Sequence, residues 1–329
     1  MTGVSLDTRV ALLRQHGTFT QAYSATFQPG LEHFGDERGF IAYTKVWGTT
    51  MVLSNPLAPP EHQRDLIARF LRKHSDVAFW QVARPVAEIL APLRFFINEM
   101  GPDNRIELAS YDFTGRAKRN LRNAHNRMRK GGYTIRESSI GEVGAERVKA
   151  VSETWRRGQT VRSREVGFLS RPMVIGDELD VRVFFMFDRA GELIAFSVFD
   201  PVYDDGQVVG YTSQQNRYLP DSDSLVPDAI KRFAIEKFRA EGKRWLFLGL
   251  SPLANIEDKD FLPHKNWLMR RTFRFVYENA LFNRFIYPVK QIFEHKRQFR
   301  GSTEQTYLAF NKLPSLLHIF KLGRACNII

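Results

Sequence analysis

Short apolar runs and helical periodicity alternate along the first third of the chain. The segments GFIAYTKVW and TTMVLSNPL predict two strands, and Asn55-Pro56 supplies turn chemistry at the end of the second. HQRDLIARFLRKHS then places apolar residues at helical spacing, and VAFWQVA predicts a further strand. Because strands and helices follow one another, the pattern indicates an α/β fold.

The segment GRAKRNLRNAHNRMRKG, residues 115–131, predicts an amphipathic helix with an unusually basic surface. Four apolar residues recur along it at steps of three and four: Ala117, Leu121, Ala124 and Met128. The other positions carry seven lysines and arginines and no acid. Gly131 and Gly132 predict its end, and YTIRES resumes extended structure.

The second half of the chain predicts a long hairpin, a helix and a buried strand. VRVFFMFDRAGELIAFSVFDPVY turns at residues 188–191, and QVVGYTSQQN predicts a third strand. PDAIKRFAIEKFRAEG predicts a helix, and WLFLGL a buried strand with polar residues after it. This succession is typical of an acetyltransferase-like core. We expect lobes at residues 1–114 and 139–329, with a basic helix and strand at 115–138 between them.

Composition narrows the class of protein. A chain of 329 residues exceeds what one hydrophobic core usually supports, so two domains are expected. The single cysteine, Cys326, cannot form an internal disulfide, and a reducing cytoplasmic setting fits best. No apolar run approaches the roughly 20 residues that cross a bilayer. The histidines lack metal-ligand spacing, so we expect neither a metal nor a cofactor.

The net charge of +12 is concentrated in two places. Residues 115–130 carry seven basic residues and no acid, and residues 263–329 carry twelve basic residues against three acids. Localised basicity favours a polyanionic partner such as RNA or an anionic lipid surface. The alternative is a generally solvated basic surface.

Several segments resemble a known family in their order and spacing. GRAKRNLRNAHNRMRKGGY, RAGELIAFSVFDPVY, FLGLSPLA and FEHKRQFRGSTEQTYLAF resemble motifs of the catalytic half of the phosphatidylglycerol lysyltransferases. GFIAYTKVWGTTMVLSNPLAP is similar to the same family's first-lobe motif. The resemblance extends from about Glu32 to Phe310. It implies two tandem acetyltransferase-like (GNAT-type) lobes joined by the basic helix.

The resemblance also implies an activity, which is transfer of an amino acid from aminoacyl-tRNA to a phosphatidylglycerol-like lipid. The family's multi-span membrane region matches no part of this sequence, which leaves the acceptor open. We expect a cytoplasmic protein, with a peripheral position on the inner face of the membrane as one option. Related proteins transfer aminoacyl groups to small metabolites, and a small hydroxyl or amine acceptor is therefore the alternative.

Site residues follow from the positions that match the family's motifs. Lys296 matches the first lysine of the closing motif, which implies a catalytic clamp on the reaction's oxyanion or on a tRNA phosphate. The resemblance places Arg217, Tyr218 and Asp228 in an amino-acid pocket, with Arg217 and Asp228 as catalytic residues and Tyr218 as a substrate-binding residue. Gln214 stands where the family has an aspartate, and a neutral transferred amino acid is therefore an alternative to lysine. Asp228 also sits near a helix start, where an acid is favourable anyway.

Further candidates come from the strand end and the basic helix. Ser251 and Asn255 follow a buried strand and would line the cleft, or else would only form a turn. The basic helix would bind tRNA phosphates. Its candidate residues are Arg116, Lys118, Arg119, Arg122 and Arg127.

The C-terminal segments NALFNRFIYPVKQIF and LPSLLHIFKLGRACNII mix apolar and basic residues. Such a mixture is typical of a helix on an anionic membrane surface and equally of a docked terminal helix.

Two rival functions fit the same patterns. An acyl-CoA-dependent N-acyltransferase usually cradles pyrophosphate with a glycine-rich loop that opens a helix, and LVPDAIKRF lacks those glycines. A non-catalytic protein that binds RNA or a membrane surface would explain the charge but not the polar strand ends of the second half.

Overall fold

The computed structural model describes residues 3–159, 165–257 and 259–328. The helices of the first part of the chain are α1 (Leu6–His16), α2 (Ala22–Phe27), α3 (Pro60–Leu71) and α4 (Arg84–Leu90). Its strands are β1 (Glu32–Asp36), β2 (Gly39–Val46), β3 (Thr49–Leu57), β4 (Val77–Val82) and β5 (Phe96–Glu107). The strands β2, β3 and β4 and the helix α3 confirm the sequence pattern.

The later helices are α5 (Arg119–Lys130), α6 (Ile140–Val143), α7 (Ala145–Arg157), α8 (Val226–Ala240), α9 (Trp267–Glu278), α10 (Ala280–Phe285), α11 (Val289–Arg297) and α12 (Leu316–Ala325). The later strands are β6 (Thr134–Glu137), β7 (Arg182–Phe187), β8 (Leu193–Asp204), β9 (Gln207–Tyr218), β10 (Trp245–Leu250) and β11 (Ser302–Phe310). The predicted β7–β8 hairpin, β9, α8 and β10 are confirmed.

The described residues form one mixed sheet of eleven strands, in the order β1-β2-β3-β4-β11-β5-β10-β9-β8-β7-β6. The α/β prediction is therefore confirmed. The strand β11, near the C-terminus, lies between β4 and β5 and is antiparallel to both. β5, from the first half, in turn pairs with β10 of the second half. These exchanged strands join the two halves of the chain through continuous backbone hydrogen bonding.

Two pairs of parallel strands separate along their length. β3 and β4 pair over four residues, ending at Trp80 of β4. β9 and β10 pair over three residues, ending at Phe247 of β10. Just beyond these points, Gln81 has a φ of 54° and Gly249 a φ of 78°, which interrupts the regular pleat. Where each pair separates, the backbone at the strand ends becomes accessible to side chains from other parts of the fold.

Helices cover both faces of the sheet, which explains why β4 is buried along its whole length. In the first half, Val77 and Phe79 pack with α3 and α4, whereas Ala78 and Trp80 pack with α9 and α12. In the second half, α5 and α8 pack on one face and α6 and α7 on the other. The alternation of β-strand side chains thus sends neighbouring residues into different cores.

The basic helix α5 is shorter than the sequence predicts and packs within the second half. It begins at Arg119 rather than near residue 115. The guanidinium of Arg122 donates to the carbonyl oxygens of Phe113 and Gly115, which holds the preceding segment in a turn. Leu121, Ala124 and Met128 are buried against α8, so the predicted apolar seam is confirmed apart from Ala117, which is exposed.

Within the described part of the chain, every helix is too short or too polar to cross a bilayer.

Candidate functional site

A cavity of about 910 Å³ opens where β9 and β10 separate, and the helices α8 to α12 contribute to its walls. It continues along the sheet to Trp80 and Gln81 on β4. The side chains along the separating strands are largely polar, whereas those from α9, α10 and α12 are largely apolar. A cavity of this size and mixed character is typical of a ligand site.

Lys296 reaches this cavity from α11. Its ammonium donates to the carbonyl oxygen of Leu250 at 2.6 Å, beside the bend at Gly249. Burial lowers the pKa of Lys296 to about 7; Asp103 opposes this shift and Lys231 adds to it. The amine of Lys296 is fixed at the end of β10 that has separated from β9. There it could stabilise a negative charge that develops on a bound substrate.

Asp103 lies on β5. Its charge and that of Lys296 each shift the pKa of the other group. Burial raises the pKa of Asp103 to about 6, and hydrogen bonds from Thr20 and Gln81, with the charge of Lys296, oppose the rise. Both hydrogen bonds end on Oδ2. No described residue hydrogen-bonds to Oδ1, although that atom is buried.

Asp228 lies in the first turn of α8 and in the cavity wall, and Lys231 lies beside it one turn later. Burial raises the pKa of Asp228 and lowers that of Lys231, and each charge opposes the shift of the other. Gln298 donates to Asp228 Oδ2 at 3.0 Å. Burial, together with Lys231 and Lys296, lowers the pKa of His295 to about 3, so its ring is neutral near pH 7. The described residues leave Asp228 Oδ1 without a hydrogen bond.

Two other predicted pocket residues line the same cavity. Gln214 and Tyr218 both face it from β9 beyond the point where β10 separates. The amide of Gln214 donates to the backbone oxygen of Arg171 at 3.3 Å. Together with Lys296 and Asp228, they make four sequence-predicted residues that the fold brings to one cavity.

Arg217 lies behind the cavity wall. It is buried, its guanidinium stacks 4.1 Å from the ring centroid of Trp155, and it pairs with Glu165 at 2.7 Å. Trp155 itself faces the cavity. Burial lowers the pKa of Arg217, opposed by Glu165. A catalytic role was expected of Arg217, but its position behind the wall suits holding Trp155 in place.

Ser251 and Asn255 also lie outside the cavity lining. Ser251 is fully buried and accepts a hydrogen bond from Asn104 at 2.9 Å. Asn104 donates to the carbonyl oxygen of Gly249 as well, so this pair fixes the bend beside Lys296. Asn255 is exposed in a turn with a φ of 49°.

The candidate cations of the basic segment divide into two groups. Lys118 pairs with Asp112, and Arg127 pairs with Asp223 at 2.6 Å, so acids outside the basic segment compensate part of its charge. Arg122 is held by the backbone oxygens described above. Arg116 and Arg119 are exposed.

Polar residues on the first-half side of the cavity were not among the candidates that the sequence patterns indicated. Thr20, Gln21 and Gln81 line it, and Asp103 lies next to them. A glutamine inside the apolar run VAFWQVA and an aspartate inside a buried strand were the available signals, because buried polar side chains need partners.

Comparison with known proteins agrees with this architecture. Residues 10–310 match the family model "Phosphatidylglycerol lysyltransferase, C-terminal". The phosphatidylglycerol lysyltransferase of Bacillus subtilis (strain 168) is 21% identical over 287 residues, and that of Staphylococcus xylosus is 23% identical over 313 residues. These alignments cover 85% and 89% of this chain but only 32% and 35% of the relatives. The chain thus spans about a third of their length.

A solved structure shares the fold closely. The structure of L-PGS from Bacillus licheniformis superposes with a TM-score of 0.81 at 18% identity, covering 99% of this chain and 98% of that one. The family match extends over most of the chain and includes the cavity-lining residues from Thr20 to Leu308. The chain therefore belongs to the family of phosphatidylglycerol lysyltransferase C-terminal domains.

Proposed function

We propose that the chain is an aminoacyltransferase that moves an amino acid from aminoacyl-tRNA to a hydroxyl group on a phosphatidylglycerol-like lipid. The observation that carries this proposal is the single cavity that joins a polar region around Lys296 and Asp228 to an apolar region between α9, α10 and α12. A polar reacting group and a lipid chain could occupy the two regions together.

The aminoacyl group would lie on the second-half side of Lys296. Asp228 Oδ1 accepts no hydrogen bond from the described residues and lies 3.5 Å from Nε2 of the neutral His295, so this carboxylate oxygen suits the α-ammonium of an amino acid. Gln214 and Tyr218 supply neutral polar groups around it. The buried Lys231 lies beside Asp228, so the amino-acid end of the cavity is not strongly negative. Selection of the amino acid would therefore depend on shape and hydrogen bonding as well as on charge.

The transfer needs an electrostatic clamp more than a strong base, because the aminoacyl ester is already activated. The acceptor hydroxyl oxygen attacks the ester carbonyl carbon and forms a tetrahedral oxyanion. As the oxyanion collapses, the bond to the tRNA ribose oxygen breaks, and the proton lost by the acceptor ends on that ribose oxygen. Lys296, in its ammonium form, would stabilise the oxyanion.

Exposed apolar side chains at the mouth of the cavity support a lipid as the acceptor. Ile286 beside α10 and Phe320 of α12 line the cavity and are also 41% and 58% exposed. More large apolar side chains are exposed nearby in sequence, together with arginines and lysines: Leu281, Phe285, Leu313, Leu316, Leu317, Arg284, Lys312 and Arg324. This combination suits insertion into an anionic membrane surface, with the aromatics in the interface.

Vesicle binding tests this surface. The double variant Phe285→Ser/Leu317→Ser is expected to bind phosphatidylglycerol vesicles at least about tenfold more weakly, because each side chain would lose apolar burial in the interface. Vesicle sedimentation measures the change. Trp47→Ser is the matched control, since Trp47 is 63% exposed in the turn between β2 and β3, away from the cavity. Equal loss in control and test variants would contradict the assignment.

The tRNA backbone would contact the exposed part of the basic segment. Arg116 and Arg119 precede or open α5, and both side chains are exposed. The compensated cations Lys118 and Arg127 are less available, because their ion pairs would first have to break.

Charge reversal tests the tRNA contact. Arg116→Glu/Arg119→Glu is expected to weaken aminoacyl-tRNA binding at least about tenfold near 0.1 M salt and to flatten the dependence of log K on log salt by about two units. Filter binding across a salt series gives both quantities. Arg64→Glu, on the exposed side of α3, is the control. A salt dependence that stays unchanged in the double variant would exclude this helix as the tRNA contact.

We also propose that the chain consists of two tandem acetyltransferase-like lobes, residues 1–114 and 139–329, with residues 115–138 between them. In support, β1-β2-β3-α3-β4 and β7-β8-β9-α8-β10 repeat the same succession, and each ends in a parallel pair that separates. The sheet order is also symmetric about the β11–β5 pair, apart from β6. The packing of α5 on α8 attaches the intervening segment to the second lobe.

A further inference from the structure

A buried cation lies at the amino-acid end of the cavity. Lys231 is on α8, one turn after Asp228, and only 4% of it is exposed. It nevertheless lines the cavity. Its ammonium lies 5.1 Å from the ring centroid of Phe299, and Asp228 acts on it through its charge. A ligand in this part of the cavity would therefore lie beside Lys231 as well as beside Asp228.

The charges around the cavity are unequal in number. Among the described residues that line it, Asp228 is the only acid, whereas Lys231 and Lys296 are both basic. His295 is also in the lining, and burial together with the two lysines lowers its pKa to about 3, so it is neutral near pH 7. If Asp228 binds the α-ammonium of the amino acid, the described lining holds no second carboxylate for a cation at the end of the side chain.

A lysyl or arginyl side chain would therefore be unfavourable in this site. It would lose hydration, at a cost of several kcal/mol for a buried ion, without gaining a counter-charge. A like charge placed opposite it raises that cost further. Burial lowers the pKa of Lys231 and Asp228 opposes the shift, but neither protonation state of Lys231 supplies a negative charge. A side chain without positive charge meets none of these costs.

We infer that Lys231 determines the specificity for the amino acid by excluding cationic side chains. The transferred amino acid therefore has no positive charge in its side chain, although two relatives of this chain are named lysyltransferases. Specificity of this kind depends on a repulsive group as well as on attractive ones, and Lys231 is the repulsive group. This inference rests on the proposed aminoacyl transfer.

Binding of two amino-acid amides tests the selectivity without tRNA, lipid or catalysis. Lysinamide and norleucinamide share the α-ammonium and the four-carbon side chain, but norleucinamide lacks the terminal ammonium. Isothermal titration calorimetry compares them, and the wild-type protein is expected to bind norleucinamide at least about tenfold more tightly. Lys231→Met keeps an unbranched side chain without the cation. This variant is expected to bind lysinamide at least about fivefold more tightly than the wild type does.

Lys237→Met is the matched control and should keep the wild-type preference, because Lys237 lies on the same helix but pairs with Glu241 at the surface. Melting temperatures establish that both variants are folded. If Lys231→Met is not, Gln214→Asp adds a carboxylate to the cavity wall and should also raise the affinity for lysinamide. Equal wild-type affinity for the two amides, or binding of neither, would overturn the inference. So would a folded Lys231→Met variant with the wild-type preference.

A parallel transfer assay separates this inference from the proposed function. The protein is incubated with labelled aminoacyl-tRNAs, and the amino acid that leaves the tRNA is identified. Preference for norleucinamide without any transfer would overturn the aminoacyltransferase proposal but not the selectivity of the site. Transfer from lysyl-tRNA or arginyl-tRNA would overturn the selectivity but support the aminoacyltransferase.

Discussion

Replacing Lys296 with alanine is expected to reduce kcat for aminoacyl transfer by about a hundredfold or more while leaving the affinity for aminoacyl-tRNA unchanged. The reason is that the ammonium would contact the oxyanion, which exists only in the transition state and the intermediate. Single-turnover transfer of a radiolabelled amino acid measures the rate, and filter binding measures the affinity. A wild-type rate in the variant would exclude Lys296 as the clamp.

Lys290→Ala is the matched control for this experiment. Lys290 lies on the same helix, α11, but pairs with Glu278 at the surface, so its removal should leave transfer unchanged. If both variants lose activity equally, the effect belongs to the charge or stability of α11 rather than to the position of Lys296.

The pH dependence of the wild-type enzyme distinguishes a clamp from a base. Burial lowers the pKa of Lys296 to about 7, so the amine is protonated below that pH and neutral above it. A clamp needs the ammonium, and kcat/KM should therefore fall as pH rises through about 7. A rate that instead rises through pH 7 would indicate that the neutral amine acts as a base.

Replacing Arg171 with methionine is expected to have the largest effect on stability, a loss of about 3–5 kcal/mol in the free energy of unfolding. Arg171 is buried and pairs with Asp200 at 2.6 Å and with Glu178 at 2.6 Å. Its backbone oxygen also holds Gln214 and Gln215 beside the cavity. Without the guanidinium, the buried carboxylate of Asp200 and the partly buried carboxylate of Glu178 lose their counter-charge. Urea denaturation measures the loss.

The loss in the free energy of unfolding caused by Arg171→Met should be smaller at low pH. Burial raises the pKa of Asp200 and of Glu178, and the charge of Arg171 opposes both shifts. Removal of Arg171 should therefore raise both pKa values further. A carboxyl group with a raised folded-state pKa takes up its proton first in the folded protein, so lowering the pH stabilises the variant relative to its unfolded chain. Arg147→Met, which breaks an exposed pair with Glu192 and an exposed hydrogen bond to the carbonyl oxygen of Gly191, should cost less than about 1 kcal/mol. A similar cost for both variants would contradict the role of the buried network.

Local patterning predicted most of the elements but not how the strands are arranged. The runs that became β2, β3, β4 and the β7–β8 hairpin have the length and composition of strands, and the apolar seam of α5 has helical spacing. The exchange of β5 and β11 depends on contacts between residues far apart in sequence, such as Glu304 with Asp103. Such pairing leaves no local periodicity, so the sequence could not predict it.

The candidate site was predictable only in part for the same reason. Lys296 and Asp228 matched family motifs, and the fold brings them to one cavity. Arg217 matched as well, but which face of a strand a residue occupies depends on its register and on nearby bulges, and Arg217 lies behind the wall. Ser251, expected in the cleft because it follows a buried strand, is instead buried beside Asn104. Asp103 lies in a strand that only the tertiary fold brings to the cavity.

The most direct test of the proposed function is a transfer measurement with defined substrates. The protein is incubated with a mixture of radiolabelled aminoacyl-tRNAs and phosphatidylglycerol vesicles, and the lipid and aqueous phases are separated. We predict that one amino acid moves into the lipid fraction in a reaction that ribonuclease treatment of the tRNA abolishes and that Lys296→Ala slows by about a hundredfold. Label that stays on tRNA, or that appears only as free amino acid, would contradict an aminoacyltransferase with a lipid acceptor.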